Sequence, residues 1–473
     1  MHKNAAPLRV LWIAALALAG CATGTDPGAP AVALPAQWAT PASGALQVDV
    51  QADAQADAVT PAWWRSFGSA ELDGLVAQAR AGHFDLAAAA ARVAQAGAQA
   101  RQAGARLLPE VAGAVNAARQ GRLGGDAAVD GTRLGVALSA SYEVDVWGRL
   151  GATRDGAQAA LRASVFDQEA VRLSISAGVA HAWLQGVALR ERQDIAALNL
   201  RSAERLLALV AARQRAGAAS ALELAQQRGL VAAQRRAHAS VRQQADAAQT
   251  ALALLMGQAG RAASATAALQ GLRVPAVAAE VPAALLARRP DIARAEAHLA
   301  AAQANVAAAR AAMLPSLTLG ASMGTGGDRL ERAFDNPVYA LAAALAAPIF
   351  DAGRRAAGHE LAQAQREELL AAYRRTVVQA YGDVQNALDA AAGADAQMQA
   401  QAEVVAQARQ AFALSESRYR AGADTLLTLL DAQRALYAAQ DEAVQLQLAR
   451  LQARVALYKA LGGGWLAPEG AAS

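Results

Sequence analysis

The chain has 473 residues, of which 55% are hydrophobic and only 4% aromatic, with a formal net charge of +4. This alanine-rich, aromatic-poor make-up suits closely spaced helices better than a large mixed core, and no Pro/Ser-rich or charged linker divides the chain after about residue 60. The basic residues are almost all Arg, scattered among Glu, Asp and Gln at helical spacing, a pattern of solvated helix faces that argues against a nucleic-acid footprint.

His2, Lys3 and Arg9 form a basic n-region ahead of the apolar run 10–18, so residues 1–20 are expected to be a signal peptide outside the fold. The run ends in Leu18-Ala19-Gly20-Cys21, and Cys21 is the only cysteine, which excludes an internal disulfide and a cysteine-cluster metal site. A chance cysteine beside an ordinary cleavage site would read the same way. The tetrad nevertheless resembles the lipobox of bacterial lipoproteins, which implies lipidation of Cys21 and firm anchoring by its acyl chains. By the same resemblance, Ala22 where an Asp would mark inner-membrane retention implies the outer membrane. Residues 21–60, rich in Ala, Pro, Gly and Asp, read as a lipidated tether. No later run reaches ~18 uninterrupted apolar residues, so a bilayer crossing would have to be made by strands.

From about residue 61 the chain repeats itself with a period of ~205 residues. Asp85-Leu86 and Arg92-Val93-Ala94 recur as Asp291-Ile292 and His298-Leu299-Ala300. Leu107-Leu108-Pro109 recurs as Met313-Leu314-Pro315, Gly148-Arg149 as Gly353-Arg354, and the run 213–218 as 418–423. The expected halves are 61–270 and 271–465.

Each half opens with a predicted helix, 71–106 and 290–312, built from strong helix formers, with Pro290 in a first turn and Pro109 and Pro315 as stops. The periodicity then changes to two. Leu134, Val136, Leu138, Ala140, Tyr142, Val144 and Val146 alternate with Arg133, Gly135, Ser139, Ser141, Glu143 and Asp145, which predicts a strand with one apolar face. Leu317, Leu319, Ala321 and Met323 behave likewise, and Tyr339, Leu341, Leu345 and Ile349 less cleanly. Gly- and charge-rich loops over 118–131 and 324–336 complete two hairpins, 109–147 and 314–350. These strands are long enough to cross a bilayer, but four cannot close and an open edge in lipid is costly, so several chains must pool theirs. A half-buried soluble sheet is the alternative.

Long helices are expected over 150–212 and 351–420, each followed by an Arg-x-Arg-Ala-Gly turn or its Tyr variant and a returning helix, 220–256 and 425–461. Breaks are expected at 260–282 and 390–393, and Gly462-Gly463-Gly464 ends the last helix. In the final hairpin Leu427, Asp431 and Arg434 share one narrow helix face, which read alone is as compatible with an exposed ion pair as with a functional stripe. The repeat places Gln226 where Asp431 stands.

Several stretches together resemble the outer membrane efflux protein family, in its OprM/NodT-like lipoprotein branch related to TolC. They are Trp63-Trp64 with the run 67–72, the run 288–292 with Ala295-Glu296, the run 350–355, the run 254–257 and the run 430–434. The resemblance covers nearly the whole mature chain. It implies a mainly α protein with membrane β: a homotrimer whose twelve-strand β-barrel, four strands per chain, continues into a long α-helical barrel (71–108, 150–313 and 351–461). It implies a passive exit duct in the bacterial outer membrane extending into the periplasm, energised by an inner-membrane resistance-nodulation-division (RND) pump through a periplasmic adaptor. By the same resemblance Asp431 forms the narrowest ring of a periplasmic gate, with Leu427 a hydrophobic ring and Arg434 a local partner. Tyr419 and Glu223 match positions that help hold such gates shut, while Asp424 and Thr428 depart from the TolC pattern.

Other classes fit less well. His83, His181, His238, His298 and His359 are isolated, and no phosphate loop or nucleophile elbow appears, so no enzyme, metal or cofactor is expected beyond the lipid on Cys21. An exit duct for type I secretion stays open. A structural coiled-coil lipoprotein would explain the helices but not the duplicated strands.

Overall fold

A computed structural model describes residues 32–39, 59–126, 131–277 and 282–466; Cys21 and most of the tether lie outside these. In chain order the elements are α1 (Ala70–Gly82), α2 (Phe84–Ala105), β1 (Glu110–Gln120), β2 (Gly131–Val144), α3 (Arg149–Arg215), α4 (Ala221–Leu255), a short α5 (Leu285–Arg288), α6 (Pro290–Ala311), β3 (Ser316–Gly327), β4 (Val338–Ala346), α7 (Arg354–Arg420) and α8 (Leu426–Ala460). Both long helices have 67 residues, hence a length of about 100 Å.

The strands form one antiparallel sheet in the order β1-β2-β3-β4. Its register puts the apolar sets on one face: Val136 lies between Val115 and Thr325, Leu138 opposite Met323, Tyr142 opposite Leu319, and Met323 opposite Tyr339. Leu341 and Leu345 extend that face on β4 and are 77% and 72% exposed. The other face carries Glu110, Arg133, Ser139, Ser141, Glu143, Thr318 and Ser322. The strands run further into the expected loops than periodicity shows, to Gln120 and Gly327.

Each long helix starts the same way. Asp145 accepts the backbone N–H groups of Leu150 and Gly151 at 2.9 and 2.7 Å, and Asp351 accepts those of Gly353 and Arg355 at 3.2 and 3.3 Å. A carboxylate there satisfies orphan donors and meets the positive end of the helix dipole. The helices then lie side by side in a layer. α3 packs against α2 and α4 on one side and α6 and α8 on the other, with α7 beyond α6 and α8. The shorter helices are therefore stacked end to end beside the long ones, α2 with α4 and α6 with α8.

Glycines make the joints between stacked helices. Gly257 (φ +71°) and Gly462 (φ +88°) follow α4 and α8, and a side-chain carbon on either would run into a carbonyl oxygen, that of Gly82 or Arg288 respectively. Only glycine combines the left-handed backbone with so close an approach. Two expectations about the helices are corrected here. The helix over 71–106 is broken at His83, whose extended backbone (φ −72°, ψ 127°) ends α1 while its Nδ1 accepts the Asp85 N–H at 3.1 Å and caps α2. The break at 390–393 does not exist, because α7 runs through it with Ala391 and Ala394 buried.

The main core lies at the waist, under a belt formed by the segments before α1 and between α4 and α6. Trp63 stacks on Tyr458 of α8 at 5.2 Å between ring centres, and Trp63, Phe67, Val76, Trp183 and Val187 are almost fully buried. Glu71 ties the belt down, accepting from Ser264 Oγ at 3.1 Å, Ala265 N–H at 2.6 Å and both Thr266 donors at 3.0 and 2.5 Å. Burial alone would raise its pKa, but those donors outweigh it and hold the carboxyl below its ordinary value.

Candidate functional site at the helical tip

The far end of the layer is where the turns α3–α4 and α7–α8 meet. Both have the same backbone: Gly217 (φ +75°) and Gly422 (φ +76°) are left-handed. Ala218 N–H reaches the Arg213 carbonyl at 2.8 Å, and Ala423 N–H reaches that of Arg418 at 2.9 Å. Each returning helix then begins on a hydroxyl cap. Ser220 forms a capping box with Glu223, whose carboxylate accepts the Ser220 N–H at 2.6 Å, and Thr425 accepts the Thr428 N–H at 3.4 Å.

Below the turns a second apolar cluster joins the hairpins: Leu206 and Val210 of α3, Leu230 of α4, Tyr419 of α7, and Leu426, Leu429 and Leu430 of α8. Burying a side chain of this size contributes roughly 1.5–3 kcal/mol, so the two hairpin tips form one body. Arg213 crosses between them. Its guanidinium donates to the Tyr419 carbonyl at 2.5 Å and lies over the Tyr419 ring, 4.7 Å from its centre. Further down, Gln433 donates to the Tyr437 hydroxyl at 2.5 Å, which donates to the Asn199 carbonyl at 2.9 Å. Arg192 holds Asp441 with two bonds of 2.6 and 3.0 Å. No motif marks these ties between α3 and α8; only the pairing of the repeats in space brings them together.

The expected gate residues fall on the exposed side of α8, flanking this cluster. Leu427 is 58% exposed, and the Asp431 and Arg434 side chains are 66% and 60% exposed. Arg434 Nη1 lies 3.7 Å from Asp431 Oδ1, a loose pair on an open face. Tyr419, in contrast, is 2% exposed, and its hydroxyl has no hydrogen-bond partner among the described residues. Burial first, and then the nearby Glu223 carboxylate, raise its pKa, partly opposed by Arg213. Within the chain Glu223 is spent on its own capping box, so Arg213 and not Glu223 holds Tyr419. Asp424 is caught locally by Arg418 at 3.1 Å and by the Thr425 N–H at 2.8 Å.

The tip thus offers a charged, exposed stripe on a rigid double hairpin, and nothing resembling a catalytic constellation. Among the described residues, no cluster of His, Cys, Asp and Glu could hold a metal ion, and no helix is long and apolar enough to cross a membrane.

Comparison with known proteins agrees with this architecture. The model of the family "Outer membrane efflux protein" matches residues 75–258 and 281–463, one match per repeat. The chain is 50% identical over 462 residues to the pyoverdine export outer membrane protein OpmQ of Pseudomonas putida, covering 96% of each. It is 30% identical over 458 residues to the cation efflux system protein CusC of Escherichia coli, covering 95% of this chain and 97% of that one. The open-state MtrE outer membrane channel of Neisseria gonorrhoeae superposes with a TM-score of 0.76 at 31% identity, over 83% of this chain and 89% of the other. The chain belongs to the outer membrane efflux protein family, and is a TolC-like efflux channel subunit and not an enzyme.

Proposed function

We propose that three copies of this chain form an outer membrane exit duct anchored by lipid on Cys21 and fed by an inner-membrane RND pump through a periplasmic adaptor. The observation that carries the trimer is the sheet: four strands with an exposed apolar face and two unpaired edges, β1 and β4. Such a sheet is unstable in lipid until its edges pair, and bacterial barrels begin at about eight strands. Strands of 9 to 14 residues match the length that crosses a bilayer.

The cargo is a small molecule exported passively. A siderophore of the pyoverdine kind is the first candidate, because similarity to the relative named for pyoverdine export is 50% against 30% for the one named for cation efflux. Asp431 forms a ring at the periplasmic end, with Leu427 and Arg434 beside it, Tyr419 bracing the hairpin tips through Arg213, and Glu223 capping α4. Three carboxylates near an axis attract cations and slow their passage.

Purified from outer membranes, the unheated protein should migrate in detergent as an oligomer of three processed chains, each lighter than the 48.3 kDa of the full sequence, and open ion-conducting pores in a planar bilayer. A monomer without conductance, folded by circular dichroism, overturns the duct in favour of a structural lipoprotein. Cys21→Ser should abolish incorporation of labelled palmitate; retained label removes the anchor. Cross-linking in whole envelopes should recover an adaptor and a pump, and recovery of a type I secretion ATPase instead would reassign the duct.

A further inference from the structure

Where the stacked helices meet, the layer carries an open cavity of about 1150 Å³ whose wall includes Asp167, His181, Arg289, Asp383 and Lys459. A second cavity of about 420 Å³ continues it along α3 and α7, sharing Arg92, Asp167 and Arg294 and adding His298 and Arg375.

Three of the four carboxylates here are already engaged. Arg289 takes Asp291 at 2.7 Å and Asp383 at 3.0 Å, so that trio keeps one negative charge. Asp167 lies between two guanidiniums, Arg294 at 2.5 Å and Arg92 at 3.5 Å, so that trio keeps one positive charge. Asp85, in the first turn of α2, is exposed and adds one negative charge, since the nearby His83 Nδ1 accepts a backbone N–H. Lys459 and Arg375 are exposed and have no carboxylate partner among the described residues. Lys459 is also close enough to His181 that, after burial, its charge is the next cause holding that imidazole's pKa below the ordinary value. The two trios cancel, and Lys459 with Arg375 outnumber Asp85, so the groove keeps a small positive excess carried by these two exposed cations.

Its orientation follows from helix geometry. On α3 the cavity touches Ser174, Gly178 and His181, while Ser176, Ala180 and Trp183, about half a turn round, lie under the belt. On α8, Asp431, Ala438, Gln445, Gln452 and Lys459 follow at seven-residue spacing, and none of them is buried. Seven-residue spacing stays on one side of a packed helix. Lys459 thus lies on the face that carries Asp431.

We propose that this groove binds the carboxylate-type groups of an anionic small molecule inside the duct, with Lys459 as the counter-charge in the larger cavity and Arg375 in the smaller one that continues it. The proposal rests on the channel reading above, which makes that face the tunnel wall. A concave wall lined by fixed cations raises the local concentration of anions, and sites along a conduit must hold cargo weakly enough to release it. Asp431 at the tip and Lys459 at the waist then set opposite charges along one path.

Citrate is a suitable probe, titrated calorimetrically into the purified full-length oligomer at low salt. Wild-type protein should bind citrate more tightly than acetate, and Lys459→Gln or Arg375→Gln should weaken citrate about tenfold, the loss of one charge-assisted contact. Lys459→Arg should keep most of the affinity. Unheated oligomer migration checks that each variant is assembled. Equal affinity of the assembled Lys459→Gln and Arg375→Gln variants with wild type, or no citrate binding above acetate, overturns the site. A protein that conducts in bilayers yet gives that result loses the groove and keeps the duct. One that binds citrate through Lys459 but never conducts loses the duct instead.

Discussion

Arg213 and Arg418 occupy the same place in the two repeats, close the same turn with the same backbone bonds, and do different things. Arg213 reaches across to Tyr419 of the other hairpin, whereas Arg418 folds back onto Asp424 of its own. The cause is two substitutions. The first repeat has Ala219 where the second has Asp424, so nothing catches Arg213 locally, and it has Gln214 where the second has Tyr419. Duplication kept the residues that dictate backbone, the turn glycines 217 and 422 and the joint glycines 257 and 462. It diversified those that dictate contacts. The stack joints differ likewise: His83 caps α2 with its ring, but Arg289 binds Asp291, Asp383 and the Ala460 carbonyl at the end of α8.

The joint glycines give the largest expected effect. Gly462→Ala combines a left-handed backbone, about 1–2 kcal/mol, with a collision that forces α6 and α8 apart, about 1–3 kcal/mol more. Gly217→Ala meets open space and loses only the backbone component. Denaturant unfolding of the detergent-solubilised protein should rank Gly462→Ala well below Gly217→Ala. Equal losses would mean that the joint tolerates separation and that α6 and α8 are not stacked through these residues.

Arg289 comes next. It is 8% exposed, and Arg289→Ala strands two carboxylates and a helix-end carbonyl, at roughly 2–4 kcal/mol for a partly solvated cluster. Burial alone would raise the pKa of Asp291, but the hydrogen bonds and charge of Arg289 outweigh it and leave the carboxyl below its ordinary value. A depressed carboxylate stabilises the fold at neutral pH, and that contribution fades only as pH falls below the ordinary Asp range. Stability should therefore fall more steeply with acid in wild type than in Asp291→Asn, which is less stable at neutral pH but lacks this titration; an identical pH slope in both proteins would remove Asp291 from the linkage.

Most of the frame was legible in the sequence because it rests on periodicity and on glycine and proline. The alternation from Leu134 to Val144, the Gly422 turn and the long helices all have local causes. The misread positions are those where packing overrides local preference. The alanines and Gly393 near residue 390 look like a breaker, since glycine costs a helix about 1 kcal/mol, yet small residues let α7 pack closely, with Ala391 fully buried. Conversely, nothing in the alanine-rich run around His83 announces a break, which the docking of Gly257 against Gly82 explains. At the tip, the exposed stripe on α8 was legible, but the Arg213 crossing was not, because its partners lie in the other repeat.

The arginine pair tests the opening comparison directly. Arg213→Ala removes a hydrogen bond and a ring contact between hairpins and should cost about 1–3 kcal/mol. Arg418→Ala breaks an exposed local pair and should leave the unfolding midpoint unchanged. Asp424→Ala with Ala219→Asp exchanges the local catch between repeats, and should make Arg418 available to cross while Arg213 folds back. If both single variants are equally destabilised, the asymmetry between the tips is not energetic.

Asp431 and Gln226 give the smallest effect on stability and the most direct one on transport. The Asp431–Arg434 pair is open to solvent at 3.7 Å, so Asp431→Asn should leave unfolding within about 0.5 kcal/mol of wild type. In the proposed trimer, however, the substitution removes three charges at once from the proposed Asp431 ring. Block of single-channel current by a divalent cation should weaken about threefold or more. Gln226→Asp places a carboxylate at the matching position of the first repeat. If α4 also lined the axis, that charge would restore block in the Asp431→Asn background. Because Gln226 belongs to the hairpin that Arg213 ties from behind, restoration is not expected, and only α8 should set the charge at the constriction. Full rescue by Gln226→Asp would show that both repeats face the axis equally, and would overturn the assignment of the ring to one copy.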